Sequence, residues 1–409
     1  MNFLRHFLCI CFLAIQCLPL QAQLQTGWYR AEMQRPDGVS IPFNFEVLRQ
    51  HDTLRWYFRN GAERISAEPV LQQGDSLWVH MPFFEAQLRC RVLANGMLQG
   101  QWIKETAAGA LVLAFTARPG SAQRFEHTKA ASAHANGKWQ VRFQRPNGTY
   151  RPAVALFEQQ GSLLTGTFLT PSGDYRYLEG VVSNDTLLLS CFDGARAYLF
   201  KARLQGERIV DGFFYSNTAP LETWEAERNA LATLPDTILQ TALKPGYDRI
   251  AFSFPDSSGR LVSLTDERFK NKVVVVQLLG SWCPNCMDET RFLSDFYQSY
   301  RSKGVEVVAL AYELTADTQR SWLAVNRMTR RLQVPYPVLL TAATAGDVAK
   351  AEKTLPQLNS VHYFPTTIFI GKDGAVHRIH QGFYGPGTGA YYEQFKEAFF
   401  TTIHILLGR

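Results

Sequence analysis

Residues Lys272–Cys286 read KVVVVQLLGSWCPNC, and this stretch decides the fold of the C-terminal part of the chain. The β-branched run Lys272–Ser281 predicts a strand that is buried on both faces. The following segment, Met287–Tyr297, has apolar residues at helical spacing and predicts a helix. We therefore expect Cys283 and Cys286 between the end of a strand and the start of a helix.

A cysteine at such a junction lies over the unpaired backbone N–H groups of the helix N-terminus. These groups favour thiolate over thiol, so we expect Cys283 to attack disulfides near neutral pH. Cys286, one turn later, can close the redox disulfide and release the product. We expect Trp282 and Pro284 to contact the substrate and Asn285 to offer a neutral donor towards the Cys283 sulfur. The motif predicts thiol–disulfide exchange.

Half of a zinc site is the alternative interpretation of a CxxC motif. Structural zinc needs four ligands, usually with a second CxxC or a pair of histidines at suitable spacing. The sequence has no such second motif, and we predict no metal. The other cysteines are Cys9, Cys11, Cys17, Cys90 and Cys191.

Two ordered motifs resemble the TlpA/ResA-like thioredoxin-fold disulfide reductases. The first combines Phe252–Leu264 with the buried strand, WCPNC and Glu289, and the second is Tyr363–Gly374. The resemblance covers residues 246–409 and implies an α/β thioredoxin fold there. It also implies that Pro365 is in cis and faces the CxxC motif, so that the backbone of Phe364 can pair with an extended substrate.

Two departures from these relatives concern the proton chemistry and the helix. Many thioredoxins carry an aspartate where this chain has Gln277, which cannot carry a proton. Glu289 matches the acid of the TlpA/ResA-like branch, and we expect it to help ionise Cys286. A solvated helix residue is the alternative for Glu289. Arg291 replaces a proline that commonly kinks the helix in this family.

The rest of the C-terminal part predicts a mixed sheet with helices on both faces. The glycine-dense Gly382–Gly389 lacks phosphate-binding spacing, and we interpret it as a flexible loop that lines the substrate groove. The expected strands are Val305–Ala311, Tyr336–Leu340 and Ala375–His380, and the expected helices are Asp317–Leu332, Asp347–Lys353 and Tyr391–Leu407.

The N-terminus has the pattern of a secretory signal peptide. Arg5 and His6 precede an apolar run from Phe7 to Ile15, Pro19 follows, and cleavage is expected after Ala22. No later segment reaches the roughly 20 apolar residues of a spanning helix, so we expect no stable membrane insertion after cleavage. The formal net charge of +6 is mild and scattered, and nucleic acid is not implied. We predict a periplasmic protein.

Export has a consequence for the electron supply. In an oxidising compartment a dithiol protein stays a reductant only if another component re-reduces it. The sequence has no flavin or nicotinamide signature, so no cofactor is expected. We therefore expect two kinds of partner, a membrane thiol electron donor and the disulfides of periplasmic proteins.

The N-terminal half is an internal repeat with an offset of 110 residues. Gly27–Gly38 returns as Gly137–Gly148, and Gly74–Trp78 returns as Asn184–Leu188. Short alternating runs separated by turn residues predict two repeated meander or barrel-like β domains. The predicted organisation is a signal peptide at 1–22, β-rich repeats at 23–126 and 133–226, a helix and linker at 227–245 with the helix over Glu222–Leu234, and a thioredoxin-like domain at 246–409.

The role of the β half is not predicted by its sequence. Its aromatic residues pack a barrel core or line a ligand cavity, and core packing is the simpler interpretation. Cys90 and Cys191 are not at equivalent repeat positions. We expect buried free thiols there, with a bridge between the copies as the alternative.

Three functions from different classes remain at this stage. The first is an exported protein-disulfide reductase. The second is a peroxiredoxin-like peroxidase, which needs Thr or Ser three residues before its cysteine, where this chain has Gly280. The third is a ligand- or partner-binding β protein with a redox-passive thioredoxin-like scaffold. The CxxC motif, Glu289 and Pro365 favour the first.

Overall fold

The computed structural model describes residues 24–408 except 52, 127–128 and 236–239. The predicted signal peptide lies outside the described residues. Two large antiparallel β sheets occupy the N-terminal half, and a five-stranded mixed sheet forms the C-terminal half. The predicted fold class is confirmed.

The first sheet has nine strands in the order β4-β3-β2-β1-β9-β8-β7-β6-β5. Alternating buried residues along β3 and β7 point one face of the sheet into an aromatic core. The strands are β1 (Gly27–Gln34), β2 (Ser40–Gln50), β3 (Thr53–Asn60), β4 (Glu63–Ala67), β5 (Val70–Gln73), β6 (Ser76–His80), β7 (Ala86–Val92), β8 (Leu98–Thr106) and β9 (Gly109–Pro119).

The second sheet closes into a barrel because β11 pairs with both β10 and β12. Closure leaves its main strands without free edges. Phe143, Phe168, Phe200 and Trp224 pack against one another in its interior, so its aromatics mainly form a core. The strands are β10 (Gly137–Gln144), β11 (Tyr150–Gln160), β12 (Leu163–Thr170), β13 (Gly173–Asp174), β14 (Leu178–Ser183), β15 (Thr186–Phe192), β16 (Ala197–Gln205), β17 (Arg208–Ser216) and β18 (Glu222–Arg228).

The repeat is visible strand by strand. The bounds of β10, β11, β12 and β17 equal those of β1, β2, β3 and β8 shifted by 110 residues. The remaining five strands of each copy differ in their bounds after this shift. β4 is a strand of five residues in the first sheet, whereas its counterpart β13 in the barrel has two residues.

The predicted helix over Glu222–Leu234 is wrong. Residues Glu222–Arg228 form β18, which pairs with both β10 and β17 and completes the barrel. Trp224 and Ala226 alternate inward and are buried, which is the period of a strand. No helix occurs in the described residues 229–235 and 240–245.

The C-terminal half has the thioredoxin fold. Its sheet has the order β23-β22-β21-β24-β25, with β21, β22 and β23 parallel and β24 antiparallel to β21. A small hairpin, β19 (Ser253–Pro255) and β20 (Leu261–Ser263), precedes it. The main strands are β21 (Val273–Leu279), β22 (Val305–Ala311), β23 (Val338–Leu340), β24 (Thr366–Ile370) and β25 (Val376–Gln381).

Helices cover both faces of this sheet, as expected. α1 and α4 pack on one face, and α3 with the β19–β20 hairpin packs on the other. α1 runs without a break although Arg291 stands where relatives often have proline. The helices are α1 (Pro284–Tyr300), α2 (Thr318–Leu332), α3 (Lys350–Thr354) and α4 (Ala390–Leu407).

The two halves share buried surface. One continuous apolar cluster contains residues of the first sheet, of the barrel and of α1, including Met81, Phe192 and Met287. Within the part of the chain that the structure describes, no helix is both long and apolar enough to cross a membrane.

Candidate redox site

Cys283 and Cys286 form a disulfide at the start of α1. Cys283 is the N-cap residue, and its sulfur accepts a hydrogen bond of 3.3 Å from the backbone N–H of Cys286. Pro284 occupies the first helical position, where a missing N–H costs nothing. Cys283 is 6% exposed and Cys286 is fully buried. Solvent therefore reaches the pair only through Cys283.

The segment before β24 lies against the Cys283 sulfur. The Phe364–Pro365 bond is cis, as the resemblance implied. The carbonyl oxygen of Phe364 is 3.7 Å from the sulfur of Cys283. The indole of Trp282 meets the Phe364 ring edge-on, and its Nε1 donates to the carbonyl of Tyr312 at 2.9 Å. Trp282, Cys283 and Phe364 thus form one face.

Glu289 is buried behind the cysteines, with 1% of its surface exposed, so a solvated helix position is excluded. Its Oε1 accepts from Thr367 Oγ1 at 2.7 Å, and its Oε2 accepts from Gln277 Nε2 at 2.8 Å. Burial raises the pKa of Glu289 to about 7 although both hydrogen bonds oppose that shift. The carboxyl group can therefore take up or release a proton near neutral pH.

Sequence reasoning missed Thr367. The residue lies two positions after Pro365 on β24, and its Cα is paired with that of Gln277 on β21. Both side chains consequently reach Glu289 from neighbouring strands. The Pro365 motif contains the necessary signal, because alternate strand residues share a face.

A second buried carboxyl group, Glu313, holds the loop before the cysteines. Its two oxygens accept from the backbone N–H of Ser281 at 2.9 Å and from the Ser281 hydroxyl at 2.7 Å. Burial raises the pKa of Glu313 to about 7, against the effect of these hydrogen bonds. Glu313 was not anticipated from the sequence.

The side chain of Asn285 is engaged away from the sulfur, so its predicted role as a donor towards Cys283 is wrong. Asn285 Nδ2 donates to the backbone oxygen of Asp174 at 3.0 Å and to its carboxylate at 3.2 Å. It also lies 3.3 Å from the carbonyl of Phe383, which accepts from it. The barrel therefore contacts the dipeptide between the two cysteines.

The contact is made by Gly173–Arg176, which we call the barrel loop. Asp174 Oδ2 accepts from the backbone N–H of Gly385 at 2.7 Å, so one carboxylate joins the barrel to two segments of the redox domain. Arg176 donates to the carbonyl of Pro284 at 3.2 Å and pairs with Asp288. Neither Asp174 nor Arg176 was anticipated from the sequence.

Close packing explains Gly382 in the Gly382–Gly389 loop. A Cβ atom on Gly382 would lie 2.8 Å from the carbonyl oxygen of Pro171. On the other side, Gly173 has φ +125°, and a Cβ there would lie 2.5 Å from the Phe383 oxygen and 2.6 Å from Asn285 Nδ2. Two backbones approach here, so only glycine fits. The loop packs against the barrel.

The β half also contains two free cysteines and a cavity. Cys90 and Cys191 are both buried and unbridged, and burial raises the pKa of each thiol to about 12. A cavity of about 910 Å³ opens at one end of the barrel, where Tyr198, Phe214 and Tyr363 are among its lining residues.

Comparisons with known proteins concern the C-terminal half. Residues 244–393 match the Redoxin family model. The thiol-disulfide oxidoreductase ResA of Bacillus thuringiensis subsp. konkukian is 30% identical over 131 residues, which are 32% of this chain and 66% of that protein. ResA of Bacillus subtilis is 28% identical over 141 residues, 34% of this chain and 69% of that protein.

The chain thus spans slightly under two thirds of the first of these relatives. Among solved structures, a thiol:disulfide interchange protein from Chlorobium tepidum has 20% identity and a TM-score of 0.30, covering 41% of this chain and 99% of that one. The C-terminal region of this protein is therefore a Redoxin domain with homologues among the ResA thiol-disulfide oxidoreductases.

Proposed function

We propose that this protein is an exported thiol–disulfide oxidoreductase that reduces disulfides of envelope proteins through Cys283 and Cys286. The observation that carries the proposal is the geometry of the pair. Cys283 caps α1 and keeps 6% of its surface exposed, whereas Cys286 is fully buried. A helix N-terminus stabilises a thiolate at Cys283, and enclosure reserves Cys286 for the second step.

The first step is attack on the client disulfide. In the reduced protein the Cys283 thiolate forms a bond to one client sulfur, and the client's other sulfur leaves as a thiolate. Phe364, whose carbonyl lies beside the Cys283 sulfur, offers its backbone to the client segment. Trp282 and Pro284 flank the sulfur as further client contacts.

The second step resolves the mixed disulfide. Cys286 loses its proton and attacks the Cys283 sulfur, which closes the Cys283–Cys286 disulfide and releases the client sulfur as a thiolate that takes up a proton. Two electrons have then passed from the protein to the client. Glu289, with a pKa raised to about 7 by burial, accepts the Cys286 proton.

The cycle needs a source of electrons and a location. The N-terminal signal pattern supports export to the periplasm, with cleavage near Ala22. A membrane thiol donor would return the pair to the dithiol state. Deleting that donor in cells is expected to leave Cys283–Cys286 oxidised, and a pair that stays reduced would contradict this part of the proposal.

Trapping tests the central step. Cys286→Ser should accumulate mixed disulfides through Cys283, because the resolving thiol is gone. Cys283→Ser should trap nothing, since Cys286 is fully buried. The measurement is non-reducing electrophoresis followed by mass spectrometry of the captured proteins. Equal trapping by the two variants would overturn the assignment of attacker and resolver.

The barrel cavity favours a second candidate function, that of a ligand-binding protein with a passive redox domain. A space of about 910 Å³ is large enough for a small molecule. Insulin reduction with a dithiol donor separates the two functions, because a passive scaffold would not accelerate it. Turnover of hydrogen peroxide in the same assay would instead indicate the peroxidase alternative.

A further inference from the structure

We propose that the barrel loop is a working part of the redox centre, in which Asp174 and Arg176 position the Pro284–Asn285 dipeptide and set the balance between dithiol and disulfide. The inference rests on the proposed function, because it requires that Cys283 and Cys286 cycle. It assigns positioning roles to two residues that lie more than 100 positions before the cysteines.

Contacts with the dipeptide are the first support. The backbone oxygen and the carboxylate of Asp174 accept hydrogen bonds from the Asn285 side chain, at 3.0 and 3.2 Å. Arg176 donates to the Pro284 carbonyl at 3.2 Å. Both residues between the cysteines are therefore held by the barrel, and the dipeptide is the part of such motifs that tunes redox balance.

The fit of the backbones is the second support. Gly173, at φ +125°, leaves no room for a side chain beside Asn285. A Cβ on Gly387 would lie 3.1 Å from the Arg176 carbonyl oxygen. The loop is thus seated between α1 and the Gly382–Gly389 loop.

The charges of the loop are the third support. Asp174 is 2% exposed, and most of this carboxyl is ionised at neutral pH because its pKa is raised only to about 6, by burial and by Asp288. Its negative charge near the N-terminus of α1 opposes a thiolate at Cys283. Arg176 brings a positive charge to the same helix end and favours the thiolate. The two residues therefore act on the cysteine in opposite directions.

Charge-removing variants of the full-length protein test the proposal. Asp174→Asn should lower the pKa of the Cys283 thiol and shift the glutathione equilibrium towards the dithiol by about threefold or more, since a stabilised thiolate stabilises the reduced form. Arg176→Gln should shift the same equilibrium in the opposite direction. Arg176→Lys, which keeps the charge, should stay nearer to the wild type than Arg176→Gln.

Two readouts are needed, the equilibrium constant with glutathione and the rate of Cys283 alkylation against pH. Without the predicted signal peptide, which contains Cys9, Cys11 and Cys17, the free thiols Cys90 and Cys191 do not interfere, because both are buried with pKa values raised to about 12. Asp211→Asn and Arg203→Gln, at an exposed ion pair on the same barrel, are matched controls that should shift neither readout.

Asn285→Ala provides a variant that changes no charge. If the Asp174 carboxylate acts through this side chain, adding Asp174→Asn to Asn285→Ala should shift the equilibrium by less than it does in the wild type. Full additivity would contradict positioning through Asn285. Folded Asp174 and Arg176 variants with unchanged equilibria, or with shifts of the same sign, would overturn the inference. A wild-type pair that cannot be reduced by dithiothreitol would instead refute the proposed function.

Discussion

Burial controls the proton chemistry of individual residues at the redox site. Glu289 and Glu313 both have their pKa raised to about 7, mainly because a buried carboxylate loses its hydration. The first lies behind the cysteines and the second fixes the backbone just before them. Neither is salt-bridged in the structure, and each accepts two hydrogen bonds.

Glu289→Gln should slow resolution of the mixed disulfide by about 10²-fold, because glutamine cannot accept the Cys286 proton. In the wild type the rate of this step should rise with pH through the Glu289 pKa of about 7, and in the variant that inflection should vanish. Single-turnover reduction of a disulfide peptide at several pH values measures both. Thr367→Val removes a hydrogen bond that lowers this pKa, so its inflection should move to higher pH.

Stability should also depend on these carboxyl groups. The pKa values of both groups are raised from 4.5 to about 7 in the folded protein. Each group therefore contributes its full stabilisation of the fold below pH 4.5, and this contribution is lost as pH rises through about 7. The free energy of unfolding of the wild type, relative to Glu313→Gln, should therefore fall between these pH values by a few kcal/mol. Urea unfolding at pH 4.5, 6 and 7.5 measures the difference. A pH-independent difference would contradict the buried, titrating state.

At the scale of elements, local patterns predicted the redox domain well. The buried run before the cysteines became β21, and the Val305–Ala311 strand was predicted to the residue. Both strands depend on neighbours in sequence. The cis bond before Pro365 had instead been implied by the resemblance to the TlpA/ResA-like family. The helix predicted over Glu222–Leu234 does not form, because strand pairing with β10 and β17 outweighs the local helix propensity.

The barrel loop could not be placed at the site by pattern alone, since its contacts with α1 span about 110 residues of sequence. At the offset of 110, Glu63–Ala67 reads ERISA and residues 173–177 read GDYRY. Gly173 and Asp174 nevertheless form the short strand β13, whereas the strand-favouring Tyr175 lies outside it, so strand propensity does not mark where this copy leaves the sheet.

Gly173→Ala tests the tight seating of the barrel loop. Its added Cβ would meet the Phe383 oxygen and Asn285 Nδ2, and we expect a loss of about 2–4 kcal/mol in the free energy of unfolding. Gly148→Ala is the matched control, because Gly148 also has positive φ, +81°, but has no atom within 4 Å of such a Cβ. It should cost about 1 kcal/mol. Similar losses in urea unfolding would contradict the close approach.

At the scale of the whole molecule, ion pairs join the first sheet and the barrel to the redox domain. Arg176 of the barrel pairs with Glu63 of the first sheet and with Asp288 of α1. Arg320 on α2 pairs with Glu85, which lies between β6 and β7. The halves are thus joined by charges as well as by the shared apolar cluster.

Glu63→Gln should destabilise the protein by about 3–5 kcal/mol, because it removes one partner of a buried cation. The Glu63 side chain is only 8% exposed. Asp211→Asn, at an ion pair whose side chains are both 55% exposed, should change stability far less than Glu63→Gln does. Urea unfolding in low and high salt measures both, and only the exposed pair should respond to salt. Equal losses would show that the Glu63 pair is solvated.

The structural difference between β4 and its counterpart β13 implies that the two copies of the repeat tolerate substitutions differently. In the first copy, substitutions at Glu63–Ala67 must preserve the antiparallel pairing of β4 with β3. In the second, Asp174 and Arg176 at the corresponding positions contact the N-terminus of α1. Exchanging the two five-residue segments would give each copy a segment suited to the contacts of the other copy. The two copies are therefore no longer interchangeable at these positions.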